Sequence, residues 1–279
     1  MTQYGMIIDL DRCCGCYNCF MACKDEFCGN DHLPHSLAQP LTGHFWMRIS
    51  ERERGEFPKL KVAYRPTPCM HCKDAACINL SGEGEVYRRS DGIVIIDPIK
   101  AAGKREILDR CPYRVIYWNE ERNVPQKCTF CAHLLDNGSR EPRCAEACPT
   151  AALVFGDLDD PESNVSKLMA TDKKEALHPE FGLQENVLYL GLPKKFIAGT
   201  VILADKVDEY AENANVTIRS ERGNLYSKTN NYGDFEFEGI EANKNYSINI
   251  DYPGYVPLTF GVHTKTDVYI GEVVLRPNS

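Results

Sequence analysis

Long apolar runs and a leader-like start are both missing from this 279-residue sequence. No eighteen consecutive residues are apolar, so the pattern predicts no membrane span of its own. The start, MTQYGMIIDLDRCCGC, lacks the basic segment and the apolar stretch of a secretion signal, which favours a cytoplasmic location. Export of the folded chain on a signal-bearing partner stays open as an alternative.

Basic segments are also scarce. The net charge is −8, and no block rich in lysine and arginine is present. An acidic chain repels phosphate groups, so nucleic acid is excluded from the expected partners. Apolar residues make up 43% and charged residues 26%, which is ordinary for a globular protein, and the length favours two domains.

Cysteine is absent from the C-terminal part of the chain. All fourteen cysteines lie between Cys13 and Cys148. This asymmetry predicts a cysteine-rich domain over 1–156, a connector over 157–195 and a second domain over 196–279. In a chain of this size without a secretion signal, clustered cysteines indicate metal ligands rather than disulfides.

The cysteine-rich part contains several short predicted elements. The segment 44–66 predicts a hairpin around Gly55, which we interpret as a surface insertion. The connector predicts a helix over 162–177 and then a strand, NVLYLG. Three apolar runs bounded by Gly, Asp or Pro predict further strands: YGMIID (4–9), GIVIID (92–97) and AALVFGD (151–157).

From Phe196 onward the sequence alternates apolar and polar residues between short turns, which predicts an antiparallel sandwich or small barrel. The predicted strands are FIAGTVILA, NVTIRS, LYSKTN, GDFEFEGI, YSINIDY and VYIGEVVL. With TNNYGDFEFEGI and the closing YSINIDYPGY, this region resembles the transthyretin-like or carboxypeptidase-regulatory-like family. The resemblance implies a spacer or an interaction surface.

Two cysteine groups share the spacing of bacterial ferredoxins. The first reads CxxCxxCxxxC, and the last has the same order with twelve residues before its third cysteine and Pro149 after its fourth. In this pattern three cysteines bind one Fe4S4 cube and the fourth binds the neighbouring cube. The predicted ligand sets are therefore Cys13, Cys16, Cys19 and Cys148 for cluster 1, and Cys23, Cys128, Cys131 and Cys144 for cluster 2.

A third set comes from a middle group that is incomplete. Cys111 is followed by Pro112 like a closing ligand, yet no cysteine precedes it at the ferredoxin spacing. By the same exchange of fourth ligands it completes cluster 3, and one further set of four positions has lost every cysteine. Cluster 3 is predicted on Cys69, Cys72, Cys77 and Cys111, and the lost set is Ser81, Ala101, Lys104 and Ile107.

Two cysteines belong to none of these sets, and two histidines lie near the CxxC segments. Cys14 and Cys28 belong to no set, and we interpret them as free small side chains near a cluster, with a redox thiol as the alternative. CMHC and CTFC are also zinc-knuckle spacings, with His71 and His133 nearby. Zinc explains neither the CxxCxxCxxxC group nor the coupled loss of four ligands, so both histidines are expected in loops or behind the ligands.

These groups, with DGIVIIDP and CPTAALVFGD, resemble the iron–sulfur subunits of the dimethyl-sulfoxide-reductase family of molybdopterin oxidoreductases. The resemblance implies an α+β protein, with a multi-cluster ferredoxin-like domain followed by the sandwich. It implies three [4Fe-4S] clusters and no catalytic residue in this chain. The expected partner is a large catalytic subunit with molybdenum or tungsten on two pterin guanine dinucleotides, in a heterodimer or a higher oligomer.

Within that family, RPTPCMHC, CPYRVIYWNEERNV and QKCTFCAHLLD resemble the small subunit of transhydroxylases acting on pyrogallol and phloroglucinol. RCAEACPTAAL departs from it, which leaves another phenolic substrate open. In four-cluster relatives the lost cluster lies toward a quinone-reducing membrane partner, so its absence predicts a redox-neutral reaction and no membrane anchor subunit. Two alternatives stay open: a phenol hydroxylase or catechol dehydroxylase subunit with net electron exchange, and a zinc-stapled scaffold.

Overall fold

The computed structural model of the protein describes residues 2–79, 82, 84–220 and 223–278, without the side chains of Val207 and Asp208. The predicted lost ligand Ser81 therefore lies outside the described residues. The chain forms two compact units: Met1–Glu51 with Tyr64–Leu192, and Arg52–Ala63 with Pro193–Ser279. No helix in the described part of the chain is long and apolar enough to cross a membrane.

Short elements and long loops make up the first unit. Its helices are α1 (Asn18–Phe27), α2 (Ala76–Asn79), α3 (Ala132–Asp136), α4 (Arg143–Glu146) and α5 (Asn164–Met169), with 3-10 turns at Arg105–Arg110 and Pro179–Phe181. Its strands are β1 (Tyr4–Asp9), β4 (Val86–Arg88), β5 (Val94–Ile96), β6 (Tyr117–Asn119), β7 (Val124–Gln126), β8 (Leu153–Asp157) and β9 (Val187–Leu190). The hairpin strands β2 (Arg48–Glu56) and β3 (Lys59–Thr67) run through both units.

Strand β1 is the centre of a three-stranded sheet and joins the two ends of the cysteine-rich region. It pairs antiparallel with β8 and parallel with β9. Met6, Ile7 and Ile8 are fully buried, and each contributes about 1.5–3 kcal/mol by leaving water. Cys13 follows β1 and Cys148 precedes β8, so the β1–β8 pairing brings the first and last cysteine groups side by side. The strands predicted at 4–9, 92–97 and 151–157 are confirmed as β1, β5 and β8.

The predicted connector differs from expectation in two ways. Of the helix expected over 162–177 only α5 forms, starting where the Ser163 hydroxyl accepts the Ser166 N–H at 3.1 Å. Beyond α5 the backbone of Glu175 pairs with Tyr189 of β9, so this part of the segment is used as a bridge. Because β9 itself pairs with β1, the structure groups 157–192 with the first unit.

The second unit is built from strands, as its sequence predicted, but not every pairing is antiparallel as expected, because strands Lys195–Leu203 and Val268–Leu275 pair parallel. One sheet contains β10 (Lys195–Leu203), β11 (Lys206–Tyr210), β14 (Asp234–Ile240) and β17 (Val268–Leu275); the other contains β12 (Asn215–Ser220), β13 (Gly223–Lys228), β15 (Asn245–Asp251) and β16 (Leu258–His263). Both sheets contribute to one buried apolar cluster, for example through Val201 and Ile248. Strands β11 and β16 were not predicted from the sequence.

The tip of the predicted hairpin belongs to the second unit rather than standing alone as an insertion. Arg54 Nη1 donates to the carbonyl of Lys194 at 2.5 Å, and Lys61 forms ion pairs with Glu236 and Glu238. The chain reverses after Gly55, which adopts φ +81°, and a Cβ there would clash with the carbonyl oxygen of Lys59. A glycine is therefore required for this turn.

Candidate metal centres

The first cysteine group lies on the loop between β1 and α1 and on α1 itself. Gly15 turns the loop at φ +68°, with the Tyr64 ring 2.5 Å from where a Cβ would be. Cys19 and Cys23 are four residues apart on α1, so they lie on one helix face, and both are buried. Helix α1 packs against α4, which contains Cys144 of the last group. The fold thus brings ligands from distant parts of the sequence together.

The four thiols predicted for cluster 1 lie close together. Burial raises the pKa of Cys19 to about 12, and the negative charges of Cys13, Cys148 and Cys16 as thiolates add to the increase. Cys148 differs: burial raises its pKa, but hydrogen bonds from Thr150, Leu153 and Ala152 outweigh burial and lower it. The Ala152 N–H lies 3.2 Å from Cys148 Sγ. This thiolate is stabilised by the backbone before any metal binds.

The four thiols predicted for cluster 2 also come together. The pKa of Cys144 is raised well above its usual value by burial and then by the charges of Cys131, Cys128 and Cys23. The pKa of Cys23 is raised by burial and by Cys128 and Cys131. Cys19 also acts on both Cys23 and Cys144, so the first and second sets are neighbours.

The thiols predicted for cluster 3 surround one cavity, which is lined by Cys69, Cys72, Cys77 and Cys111. Burial raises the pKa of Cys77 to about 11, with added increases from Cys69 and Cys111. Burial likewise raises the pKa of Cys128 to about 11, and the next cause is Cys69. The third set therefore neighbours the second. The structure brings Cys111 to the group that lacked a fourth member.

The loops that hold these thiols share an unusual backbone. His71 and Phe130, each between the two cysteines of a CxxC segment, adopt φ 44° and 53°. Such angles are uncommon outside glycine and cost about 1–3 kcal/mol each, so the surrounding structure must enforce them. In both loops the backbone nitrogen of this residue lies 3.4 Å from Sγ of the first cysteine. N–H donors at the sulfurs favour the thiolate and are one of the means by which proteins tune iron–sulfur clusters.

The donor sets fit iron–sulfur clusters. Every one of the fourteen cysteines is free of disulfides. Twelve fall into three groups of four, each contributing sulfur ligands from at least two separate segments of the chain. Where burial raises the pKa of a thiol, a metal bound there would have to displace a proton. The remaining two are the exposed Cys14 and the half-buried Cys28, at the end of α1.

The positions of the lost fourth set are occupied by packed side chains. Ala101 and Ile107 are fully buried in an apolar cluster that also contains Val94, Ile96 and Ile116. Lys104 forms an ion pair with Glu85. Of this set, only Ser81 is not described. Among the described residues, apolar packing therefore fills the positions of Ala101 and Ile107, and an ion pair occupies that of Lys104.

Of the two histidines considered for zinc, His133 bonds to a carboxylate and His71 lines the cavity of the third thiol set. His133 Nε2 lies 2.8 Å from Glu26 Oε1, and Arg143 Nε donates to the other oxygen of Glu26 at 2.8 Å. The ring of His32 stacks on that of His133 at 3.7 Å. Glu26, His32 and His133 could together hold a metal ion, but Arg143 already neutralises the carboxylate. His71 is fully buried, and its Nδ1 accepts the N–H of Val94 at 3.0 Å.

Lys127 was not singled out from the sequence. It is 2% exposed and lines the cavity of the third set. Lysine is almost never fully buried, so a lysine in QKCTFC suggests a surface position. Its place directly before Cys128, a predicted cluster ligand, is the sequence signal that could have indicated otherwise.

Comparison with known proteins gives consistent matches. Residues 60–158 match the model of the 4Fe-4S dicluster domain. The chain is 44% identical over 262 residues to the pyrogallol hydroxytransferase small subunit of Pelobacter acidigallici, covering 91% of this chain and 92% of that protein. It is 34% identical to a putative dimethyl sulfoxide reductase iron–sulfur subunit of Halobacterium salinarum, over 68% of this chain and 79% of that one. It is 31% identical to the arsenate respiratory reductase iron–sulfur subunit of Shewanella sp., over 67% of this chain and 96% of that one.

Proposed function

The chain belongs to the iron–sulfur subunits of the dimethyl-sulfoxide-reductase family of molybdopterin oxidoreductases, and we propose that it serves an enzyme that transfers a hydroxyl group between phenols. It is an electron-transfer subunit of a molybdoenzyme. The proposal of hydroxyl transfer rests on one observation. The likeness to the pyrogallol enzyme subunit spans 91% of the chain, which is more than the first unit contains. The reductase subunits match only about two thirds.

Three [4Fe-4S] clusters are proposed, each supplying a site that takes up and gives off one electron. Their ligands are Cys13, Cys16, Cys19 and Cys148; Cys23, Cys128, Cys131 and Cys144; and Cys69, Cys72, Cys77 and Cys111. The proximity of the thiols within each set and the N–H donors at Cys69, Cys128 and Cys148 support this assignment. Iron and acid-labile sulfide analysis tests it: about twelve of each per chain are expected, while zinc without sulfide would end it.

The catalytic site is proposed on a large partner subunit that binds molybdenum or tungsten on two pterin guanine dinucleotides. Hydroxyl transfer between two phenols leaves the total electron count unchanged, so electrons need not leave the complex. The apolar packing of Ala101 and Ile107 supports a relay that ends at cluster 3. The test is turnover of pyrogallol-type phenols by the purified complex with no electron acceptor or donor added; dependence on such a reagent overturns the proposal.

A second candidate is a subunit of a phenol hydroxylase or catechol dehydroxylase, in which each turnover exchanges electrons with a soluble carrier. The relatives whose names describe reductases favour it, because a reductase must receive electrons from outside. Turnover that requires a redox dye in proportion to product would select this candidate.

The second unit is proposed to be a transthyretin-like module that acts as a spacer or a partner-binding surface. Its two four-stranded sheets around one apolar cluster support the first part. Deletion of 193–279 tests the second part: loss of the large subunit from the purified complex is expected, and a complex of normal composition would contradict it.

A further inference from the structure

Lys127 places a buried amine beside the third thiol set and next to Cys128 of the second. The residue is 2% exposed, and it lines the cavity formed by Cys69, Cys72, Cys77 and Cys111. Lys127 directly precedes Cys128 of the second set, and its Nζ donates to the carbonyl of Cys128 at 3.0 Å. One side chain therefore lies beside predicted ligands of both sets.

Strand β5 holds this amine in place. Lys127 Nζ donates to the carbonyl of Val94 and, at 3.0 Å, to the carbonyl of Cys128. The N–H of Val94 meanwhile donates to His71 Nδ1. Because Val94 is 1% exposed and paired in β5, the position of the amine is fixed by the sheet rather than by a mobile loop.

Among the residues that the structure describes, no carboxylate is paired with the buried amine. Within the described part of the chain, no carboxylate forms an ion pair with Lys127, and both of its hydrogen-bond acceptors are neutral carbonyls. His71 lines the same cavity, and a histidine ring contributes no negative charge. A buried cation without an anion costs several kcal/mol, so an anion beside Lys127 would stabilise its charged form.

We propose that the counter-charge is the pair of clusters held by the second and third sets, and that Lys127 raises the reduction potentials of both. This rests on the cluster assignment proposed above. A cube with four thiolates is an anion, and each added electron makes it more negative, so a fixed cation in a poorly screened interior favours the reduced form. Electron transfer between the two clusters oxidises one by one electron and reduces the other by one. Lys127 is a positioning residue for this step and makes no covalent contact.

The variant Lys127→Gln tests the inference in the purified heterodimer, because it removes the charge and keeps a hydrogen-bond donor. Reduction is followed by electron paramagnetic resonance during a potentiometric titration. The expected result is a fall of at least tenfold in the equilibrium constant for reduction of clusters 2 and 3, which is about 59 mV for one electron, with cluster 1 unchanged. Lys73→Gln is the matched control: Lys73 follows Cys72 directly but is exposed, so its loss is screened by water and all three potentials stay.

Three outcomes separate the possibilities. Unchanged potentials in a Lys127→Gln complex with full iron content overturn the inference. If Lys127→Gln loses clusters, Lys127→Arg decides, since it keeps the charge: assembly with potentials near the wild type supports the inference, and equal loss contradicts it. A wild-type complex without three clusters instead overturns the cluster assignment itself, whatever the variants do.

Discussion

The replacement Cys111→Ala is the sharpest test of the third ligand set. Cys111 interacts with Cys69, and these two line the same cavity as Cys72 and Cys77, whereas the first and second sets are complete without it. The variant removes one of the four ligands of cluster 3. The iron content should therefore fall from about twelve per chain to between about eight and eleven, depending on whether three irons remain in cluster 3. The resonance signals of the other two clusters should persist, because their ligands are untouched.

The assay is iron and sulfide analysis of the purified heterodimer, with electron paramagnetic resonance of the reduced protein. Cys28→Ala is the matched control, since Cys28 is half-buried and belongs to no set; it should keep all the iron. A Cys111→Ala protein with full iron content and three unchanged cluster signals would refute the pairing of Cys111 with the middle group. Equal loss from Cys28→Ala would refute the division into three sets of four.

Three further predictions concern packing and stability. Ile107→Ala leaves a cavity in the apolar cluster at the lost fourth site. We expect it to lower the free energy of unfolding by about 2–5 kcal/mol and Tm by roughly 4–20 °C, with the iron content unchanged. An unaltered Tm or a loss of iron would contradict the packing role. Gly55→Ala meets the Lys59 carbonyl and should lower Tm more than Gly254→Ala, where φ is +88° but the space is open; equal effects contradict the steric argument. Removing iron with a chelator should accelerate hydrogen exchange in β1 and β8 while β12 and β15, in a separate apolar cluster, keep their protection; equal acceleration contradicts this.

The cysteine pattern predicted which thiols meet because ligand spacing is a local property of the chain. The exchange of Cys23 and Cys148 between groups follows from the CxxCxxCxxxC rule, and the structure brings each to the expected neighbours. The pattern also assigned Cys111 to the set of Cys69, although the two are far apart in sequence and meet only through the tertiary fold.

Other features depend on tertiary contacts that no local pattern encodes. Residues 157–192 belong to the first unit because β9 pairs parallel with β1. The predicted helix ends at Met169, and beyond it Glu175 pairs with Tyr189 of β9. The hairpin tip joins the second unit through Arg54 and Lys61, whose charges alone suggested a solvent-exposed insertion. Lys127 was missed for the same reason: burial of a lysine is decided by what packs around it.

The most direct test of the central claim is an electron count during turnover. The purified heterodimer is given a pyrogallol-type phenol and a co-substrate phenol under anaerobic conditions, together with a redox dye, and product and reduced dye are both measured. A redox-neutral hydroxyl transfer predicts many products per complex with no proportional reduction of the dye. Two electrons delivered to the dye for each product would contradict it and assign the chain to an enzyme with net electron exchange.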